Sequence, residues 1–259
     1  MVGIKLIALF PDQIEEYYSR GIYLSISAIL KAITSPLPFS LSQLLVFFAF
    51  LFLLYEIYNR HKNPENKKRK ILVRLWDYLS LQLCRFSILY FFFNVLWGLN
   101  YQRNSLETSL EIDQITYDSL DLFALGQKLV DESNRFRIDL NQSLDSSIQF
   151  TQDDTWYFQE GDLAFQNLAK KHPFIADPNP SIKSVFFPKT MSWLGITGIY
   201  FPFTSEANIN MDQPDFKLPF TICHEMGHQA GFGSETDANF IAYMACLQSE
   251  TTFFNYSAS

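Results

Sequence analysis

The sequence predicts a membrane-anchored α+β protein, in which two transmembrane helices precede an extracytoplasmic domain made of a small β-sheet and several helices. Three observations support this fold class. Two long apolar runs lie within the first 102 residues, and a strongly basic segment separates them. The remainder of the chain is acidic and combines helical with strand-like patterns.

The charge of the chain changes sign near residue 100. Residues 1–99 carry 11 Lys or Arg against 6 Asp or Glu, whereas residues 100–259 carry 9 against 21. A basic, apolar first part and an acidic second part indicate a membrane part and an aqueous part. The acidic surface argues against nucleic acid as a partner, because phosphates require basic groups. The lipid bilayer is an expected partner.

Residues 1–35 are predicted to form an amphipathic segment at the outer face of the membrane. Apolar residues recur there at helical spacing, at Ile22, Ile26, Ile29, Leu30 and Ile33. Such a stripe favours a helix that lies in the membrane interface. The opening MVGIKLIALF is too short to span a bilayer, and we expect it to be the end of a truncated first span.

The first transmembrane helix is predicted at residues 36–58. No charged residue occurs between Ala32 and Tyr55. Its central string LSQLLVFFAFLFLLY is, with its flanks, long enough to cross a bilayer.

The second transmembrane helix is predicted at residues 75–102. Its apolar string FSILYFFFNVLWGLNYQ follows Arg85, and the span is complete if the helix begins one or two turns earlier. The Arg85 side chain would then extend to the nearer interface. Trp97 and Tyr101 fall where aromatic residues are expected at the membrane surface.

The loop between the two spans, residues 59–74, fixes the expected topology. Its sequence NRHKNPENKKRKILVR contains seven Lys or Arg and one acidic residue. Short loops of this charge remain in the cytoplasm. We therefore expect a multi-pass protein of the cytoplasmic membrane, with residues 103–259 on the extracytoplasmic side.

Residues 103–259 contain several predicted elements. TYDSLDLFALGQKLVDESNRFRIDL and GDLAFQNLAKKHP have the periodicity of amphipathic helices. KSVFFPKTMSWLGITGIYFPFTSEANIN is rich in β-branched and aromatic residues and predicts short strands. LPFTICHEMGHQAGFG predicts a helix with Pro219 near its start. Ser234 is expected to be the N-cap of a last helix, ETDANFIAYMACL.

The string HEMGH, from His224 to His228, is the most informative in a chain with four histidines. On a helix, residues four apart lie about 40° apart around the axis, so both imidazoles can bind one Zn²⁺. Glu225 lies about 100° around the helix, where it can take a proton from a zinc-activated water. The alternative interpretation is a pair of surface histidines without a metal.

The third zinc ligand must come from elsewhere, because a catalytic zinc ion usually has three protein ligands and one open position. Ser234 occupies the place where one common zinc-binding pattern has a histidine, and serine is a poor zinc ligand. Glu235 and Asp237 remain as candidates.

The segment from Glu235 to Asn239 resembles the ExxAD or ExxAN segment of gluzincin metallopeptidases, among them the membrane prenyl-protein endoproteases and heat-shock membrane proteases. In these families the glutamate binds zinc. The resemblance implies that Glu235 is the third ligand and that Asn239 supports the site from the same helix face. Six residues separate His228 from Glu235, fewer than in most gluzincins, so the chain must reverse sharply through the glycine-containing residues 230–233.

Six strings spread over the chain resemble, in this order, the uncharacterised bacterial membrane family called domain of unknown function 3810. They are EEYYSRGIY, LPFS, LWGLNYQR, GIYFPFTSEAN, PFTICHEMGHQAGF and SETDANFIAYMAC. The resemblance implies a bacterial membrane protein with an outward-facing, zincin-like domain, and it implies no particular substrate. Members of the family begin with a complete first span and extend further, so we expect this chain to be short at both ends.

Candidate substrate-contacting residues lie on and near GIYFPFTSEANIN, which precedes the HEMGH helix. Zincins commonly place there an edge strand that binds an extended substrate by backbone pairing. Glu206 and Asn208 are candidates to contact a peptide, with a structural role as the alternative for both. Tyr200 and Tyr243 are candidates for polarising the substrate carbonyl, because a phenol can donate a hydrogen bond to it.

These observations predict a membrane-anchored zinc metallopeptidase that hydrolyses peptide bonds of a peptide or protein substrate on the extracytoplasmic side. Zn²⁺ would be held by His224, His228 and Glu235, with Glu225 as general base. The alternative is a non-catalytic zinc-binding sensor or assembly factor built on a zincin fold.

Overall fold

The computed structural model describes residues 9–62, 70–112, 116–140, 152–175 and 179–259. It is mostly helical and contains one three-stranded sheet. The expected small sheet and two long apolar helices are therefore confirmed. Most of MVGIKLIALF and the centre of the basic loop, residues 63–69, lie outside the described residues.

The secondary-structure elements follow one another along the chain in a simple order. The α-helices are α1 (Pro11–Gln13), α2 (Tyr23–Thr34), α3 (Leu41–Lys62), α4 (Ile71–Leu96), α5 (Leu106–Ser109), α6 (Ser119–Asp139), α7 (Asp154–Lys171), α8 (Pro188–Trp193), α9 (Leu218–Gln229), α10 (Glu235–Leu247) and α11 (Thr252–Ala258). The described residues also contain a π-helix (Ile14–Ile22) and two 3₁₀ helices (Gly98–Gln102 and Asp215–Lys217). The strands are β1 (Ile182–Ser184), β2 (Gly198–Phe201) and β3 (Glu206–Ile209).

Helices α3 and α4 are long and apolar enough to cross a membrane, and almost none of their residues are buried. Their bounds differ from the predicted spans at 36–58 and 75–102. Helix α3 begins only at Leu41, because Pro36 and Pro38 cannot continue a hydrogen-bonded helix. Helix α4 ends at Leu96, and the chain then turns so closely that a Cβ at Gly98 would lie 2.6 Å from the Phe93 ring.

Helix α2 packs on the sheet with its polar face. The Ser27 Oγ lies 2.9 Å from the Ser205 Oγ, and the Thr34 Oγ1 lies 3.0 Å from the Ser181 Oγ. The apolar stripe predicted in this segment is exposed at Ile22, Ile29 and Ile33. The helix is therefore amphipathic, and its apolar side faces away from the protein.

The core of the remaining part lies between α7, α9, α10 and α11. Helices α9 and α10 are in close contact. A Cβ added at Gly227 would lie 3.4 Å from the Cα of Ala238, which is van der Waals distance. Cys223 and Cys246, one on each helix, are buried free thiols in hydrogen-bonding contact. The Ser234 side chain accepts the N–H of Asp237, which confirms Ser234 as the N-cap of α10.

The sheet has the strand order β1-β3-β2, with β1 parallel and β2 antiparallel to β3. Among the described strands, β2 is therefore an edge strand. It lies against helix α9, which carries the HEMGH string. The sequence analysis expected strands in this region but did not anticipate α8 between β1 and β2, or α11 at the end.

Candidate metal centre

The two histidines of HEMGH lie side by side on α9. Pro219 occupies the first turn of this helix, where its missing N–H costs no helical hydrogen bond. The rings of His224 and His228 have centroids 4.7 Å apart and are nearly perpendicular, at 89°. The predicted i, i+4 arrangement is therefore present.

The reversal after α9 depends on glycine. Gly231 has a φ of +90°, which disfavours side chains, and a Cβ there would lie 2.8 Å from the Tyr23 ring. A Cβ at Gly233 would lie 3.0 Å from the Tyr101 ring. These two glycines let α10 begin at Glu235, directly opposite the histidines.

Glu235 brings its carboxylate to both imidazoles. Its Oε2 lies 3.3 Å from the His224 Nε2, and its Oε1 lies 3.5 Å from the His228 Nε2. Ligand atoms about 2.1 Å from a tetrahedral zinc ion are about 3.4 Å from each other. One ligand atom from each of the three side chains lies within 4.8 Å of the other two, so the group could hold a metal ion. Asp237, the other candidate, instead accepts the backbone N–H of Leu106 at 3.3 Å.

Each of the two histidines has a hydrogen-bond partner outside the group of metal-ligand candidates. The His228 Nδ1 lies 2.8 Å from the Phe232 carbonyl, so the N–H at Nδ1 donates to it and the Nε2 lone pair faces Glu235. The Asn239 side chain hydrogen-bonds to His224, which is the supporting role that the ExxAN resemblance implies. Burial and the neighbouring His228 lower the pKa of His224, which favours the neutral imidazole that metals bind.

Glu225 lies between α9 and the edge strand β2. It is 4% exposed, and its Oε2 has no hydrogen-bond partner among the described residues. The backbone N–H of Tyr200 donates to its carboxylate. Burial, and then the charge of Glu235, raise the pKa of Glu225 to about 8. A buried carboxylate oxygen without a partner is suited to accept a proton.

A cavity of about 430 Å³ joins these groups. Glu225 and the three metal-ligand candidates form one wall, and the backbone around Gly198 forms another. Phe93, Trp97 and Tyr101, at and just beyond the end of α4, form the third. The cavity therefore lies where the second apolar helix ends.

Gly198 and Tyr101 are site residues that the sequence analysis missed. A Cβ at Gly198 would lie 2.6 Å from the Glu225 Oε1, so only glycine leaves room for this carboxylate. Burial, and then the charge of Glu235, raise the pKa of the Tyr101 phenol, which lines the cavity. The sequence marked Tyr101 as an interface aromatic, and no local pattern connects it with a histidine more than 120 residues later.

Of the two tyrosines proposed to polarise a carbonyl, Tyr200 lines the cavity, but its phenol has other hydrogen-bond partners. The Tyr200 phenol hydrogen-bonds to Tyr23 at 3.3 Å and to Ser205 at 3.2 Å, and burial raises its pKa to about 12. Only the backbone of Tyr200 contacts Glu225 through a hydrogen bond. Tyr243 stacks on Phe240, with ring centroids 6.1 Å apart, and does not line the described cavity.

Glu206 and Asn208 lie on the central strand β3 and are buried. Glu206 accepts the backbone N–H groups of Leu41 and Ser42 at 2.9 and 2.7 Å. The Asn208 Oδ1 accepts the Ser40 hydroxyl at 2.6 Å. Both side chains thus bind the first turn of α3, which supports the structural alternative for these two residues.

Arg103 stabilises the turn that connects the ligand helices. Its Nη1 donates to the Gly231 carbonyl at 3.0 Å, and its guanidinium lies 3.9 Å from the Phe232 ring centroid. Its Nη2 pairs with the Glu15 Oε1 at 2.7 Å, and both side chains are almost completely buried. The Trp97 Nε1 also donates, at 2.9 Å, to the His228 carbonyl.

The model of the family described as "Protein of unknown function (DUF3810)" matches residues 18–259. No curated protein and no solved structure matches the chain.

Proposed function

The chain belongs to the DUF3810 family, whose function is unknown, and from its site we propose that it is a membrane-anchored zinc metallopeptidase with a zincin-like catalytic domain. One observation carries this proposal. The Glu235 carboxylate lies 3.3 and 3.5 Å from two histidine nitrogens, beside a buried glutamate whose Oε2 has no partner among the described residues.

The proposed chemistry assigns a role to each residue. His224, His228 and Glu235 would hold Zn²⁺, which when bound lowers the pKa of the attacking water and polarises the substrate carbonyl. Glu225 accepts the proton of that water and transfers it to the leaving amine nitrogen as the peptide C–N bond breaks. Tyr101, the phenol in the cavity wall, is placed to donate a hydrogen bond to the carbonyl oxygen.

The edge strand β2 provides a place for an extended substrate. The Thr197 carbonyl accepts the N–H of Asn210, and Ile199 pairs with Asn208. Because antiparallel bonding alternates, the peptide groups of Gly198 and Tyr200 point away from β3. The N–H of Tyr200 accordingly reaches Glu225. A peptide that pairs with this edge would pass next to the general base.

We also propose that α3 and α4 span the bacterial cytoplasmic membrane. Basic residues before α4 favour a cytoplasmic location for the loop between the two helices. The cavity begins at the other end of α4, so the site would lie in water at the extracytoplasmic surface. Glu225 and Glu235 line the cavity, and two such carboxyl groups are incompatible with burial in lipid.

Zinc analysis and activity measurements of matched variants test the proposal. We expect the purified full-length chain to contain about one zinc ion per molecule and to hydrolyse members of a peptide library. Glu225→Gln should retain the zinc and lose the activity, because the amide cannot accept the proton. His224→Ala, as the control, should lose both.

The possible outcomes separate the two functions considered. Protein prepared without chelators that contains no zinc would refute the metal site. Stoichiometric zinc in folded protein, with no hydrolysis of any peptide, would favour the non-catalytic sensor or assembly factor.

A further inference from the structure

A second cavity, an apolar groove of about 500 Å³, lies on the other side of β2. We call it the α3–β2 groove. It is lined mainly by Val46, Phe47 and Phe50 of α3 and by Ile196, Ile199 and Phe201 in and before β2. Val46, Phe47, Phe50 and Ile199 are about half exposed. Exposed apolar surface of this kind marks a binding site or a membrane-facing surface.

The α3–β2 groove adjoins the metal-site cavity. Ile196 and Ile199 line both cavities, so they are separated by little more than these two residues. Strand β2 lies between the two cavities, and its successive residues point to opposite sides. Gly198 contacts Glu225, whereas Ile199 and Phe201 line the groove. A molecule in the groove therefore lies next to the metal-site cavity.

The groove also extends into the membrane part of the protein. Helix α3 begins at Leu41, and Phe50 lies nine residues further, about 13 Å along the helix axis. The hydrocarbon core of a bilayer is about 30 Å thick, so in the proposed topology the groove reaches well into the outer leaflet.

The chemistry of the groove distinguishes its possible occupants. Its accessible surface is almost entirely apolar. The polar side chains at the start of α3, where the groove begins, are already hydrogen-bonded within the protein. The Ser42 Oγ donates to the Asn208 Oδ1 at 3.1 Å, and the Gln43 Oε1 accepts the N–H of Phe186 at 2.7 Å. A peptide backbone would lose its hydrogen bonds to water there, whereas a hydrocarbon chain would lose none.

We propose that the substrate is a lipid-modified polypeptide, whose acyl chain lies in the α3–β2 groove while its peptide part follows the edge of β2 into the metal-site cavity. This inference rests on the proposed peptidase function and names its substrate class. A strand advances about 3.3 Å per residue. Because the two cavities adjoin, the cleaved bond lies within a few residues of the acylated one. The reaction is hydrolysis of that peptide bond by water, and the acyl linkage stays intact.

The test uses the full-length chain in lipid nanodiscs and three versions of the same fluorescent peptide library. One version carries a palmitoyl chain, one is anchored by a single transmembrane helix, and one has no anchor. The helix-anchored version controls for concentration in the membrane. Binding is measured with Glu225→Gln, with and without zinc, and hydrolysis is measured with the unmodified chain. We expect the palmitoylated peptides to bind at least about tenfold more tightly than the helix-anchored ones.

Two tryptophan substitutions on α3 provide matched variants. Val46→Trp should fill the groove and abolish most of the preference for palmitoylated peptides. Leu45→Trp, on a neighbouring exposed residue outside the groove lining, should leave it unchanged within about twofold. Zinc content should be equal in both variants and in the unmodified chain, which shows that the site is still folded.

The outcomes separate this inference from the peptidase proposal. Equal binding of the palmitoylated and helix-anchored peptides, or no effect of Val46→Trp, would refute the acyl groove. Hydrolysis of unanchored peptides would then still support the peptidase. Conversely, a chain that binds palmitoylated peptides in the groove but contains no zinc would refute the peptidase and leave the groove as an acyl-binding site.

Discussion

At the scale of single residues, the Glu235 carboxylate lies with His224 and His228, whereas the Asp237 carboxylate binds the backbone of Leu106. His224, Glu225 and His228 lie close together in sequence, and helical periodicity alone places both imidazoles on one face. Glu235 was favoured over Asp237 only by a family resemblance, and the described geometry groups Glu235 with the histidines. Gly198 and Tyr101 could not be predicted, because their contacts depend on how distant segments fold together.

Replacement of the proposed third ligand, Glu235, should release zinc, whereas the corresponding amide substitution of Asp237 should not. Loss of a residue that merely supports a ligand lowers metal affinity about 10- to 100-fold, so we expect Glu235→Gln to lower it by at least that factor. Asp237→Asn is the control, because Asp237 binds the Leu106 backbone instead. Competition with a chromogenic zinc chelator measures both affinities. A larger loss in Asp237→Asn would contradict the assignment.

A methyl group at position 198 should displace the general base without removing the metal. The added Cβ of Gly198→Ala would lie 2.6 Å from the Glu225 Oε1 and 2.7 Å from its Cγ. Because a displacement of about 1 Å can cost a factor of about 100 in rate, we expect kcat to fall by at least that factor while zinc content stays constant. Gly126→Ala, where nothing lies within 4 Å of the new Cβ, is the control. Full activity in Gly198→Ala would exclude Glu225 as general base in this position.

At the scale of elements, the short turn between α9 and α10 brings the third ligand to the first two. Local sequence provides its glycines, but Arg103 holds it from outside through the Gly231 carbonyl and the Phe232 ring. The counter-ion of Arg103 is Glu15, on the π-helix near the start of the chain. The geometry of the metal site therefore depends on an ion pair between segments about 90 residues apart.

Loss of the arginine in this ion pair should weaken both the fold and the metal site. Arg103→Ala leaves the buried Glu15 carboxylate with one partner fewer, and breaking a buried pair costs about 3–5 kcal/mol. We expect a lower free energy of unfolding and weaker zinc binding, measured by thermal denaturation and chelator competition in micelles. Lys128→Ala, on the exposed helix α6, should change neither. Unchanged zinc affinity in Arg103→Ala would show that this ion pair does not support the metal site.

The same ion pair predicts a pH dependence of stability. Burial alone would raise the pKa of Glu15, but hydrogen bonds and charges of Arg103 and Arg20 outweigh it and hold the pKa below its ordinary value. A carboxylate with a depressed pKa in the folded state stabilises that state at pH values above its unfolded pKa, about 4.3. This stabilisation is lost as the pH falls through the folded pKa. The melting temperature should therefore fall less steeply below about pH 4.5 in Glu15→Gln than in the unmodified chain.

At the scale of the whole molecule, the segments before residue 103 pack against the helices that carry the candidate metal site. The sequence predicted two spans and a domain at residues 103–259, because hydropathy and charge vary along the chain. It could not show that Tyr23 donates to the Gln229 carbonyl at 2.5 Å, or that Trp97 donates to the carbonyl of His228. Such contacts follow from tertiary packing, which leaves no periodic signal in either segment.

A fragment that contains every proposed zinc ligand should nevertheless fail to bind zinc. Residues 103–259 expressed alone would lack Tyr23, Trp97 and Glu15, which hold the end of α9 and the following turn. We expect this fragment to be aggregated or molten, with zinc bound at less than about a tenth of the occupancy of the full-length chain. Circular dichroism and zinc analysis measure both properties. A folded fragment with one zinc ion would show that the site is independent of the preceding segments.

The capping of α3, a proposed membrane span, by Glu206 links this helix mechanically to the sheet. Two backbone N–H groups at the start of the helix bind a carboxylate on β3, and β3 is hydrogen-bonded to β2. Helices that span a bilayer change their tilt when its thickness changes. A change in the tilt of α3 would therefore move the strand that borders Glu225. Lipid chain length sets the thickness of the bilayer. The rate of hydrolysis by the proposed peptidase should therefore depend on membrane thickness even when substrate and zinc are constant.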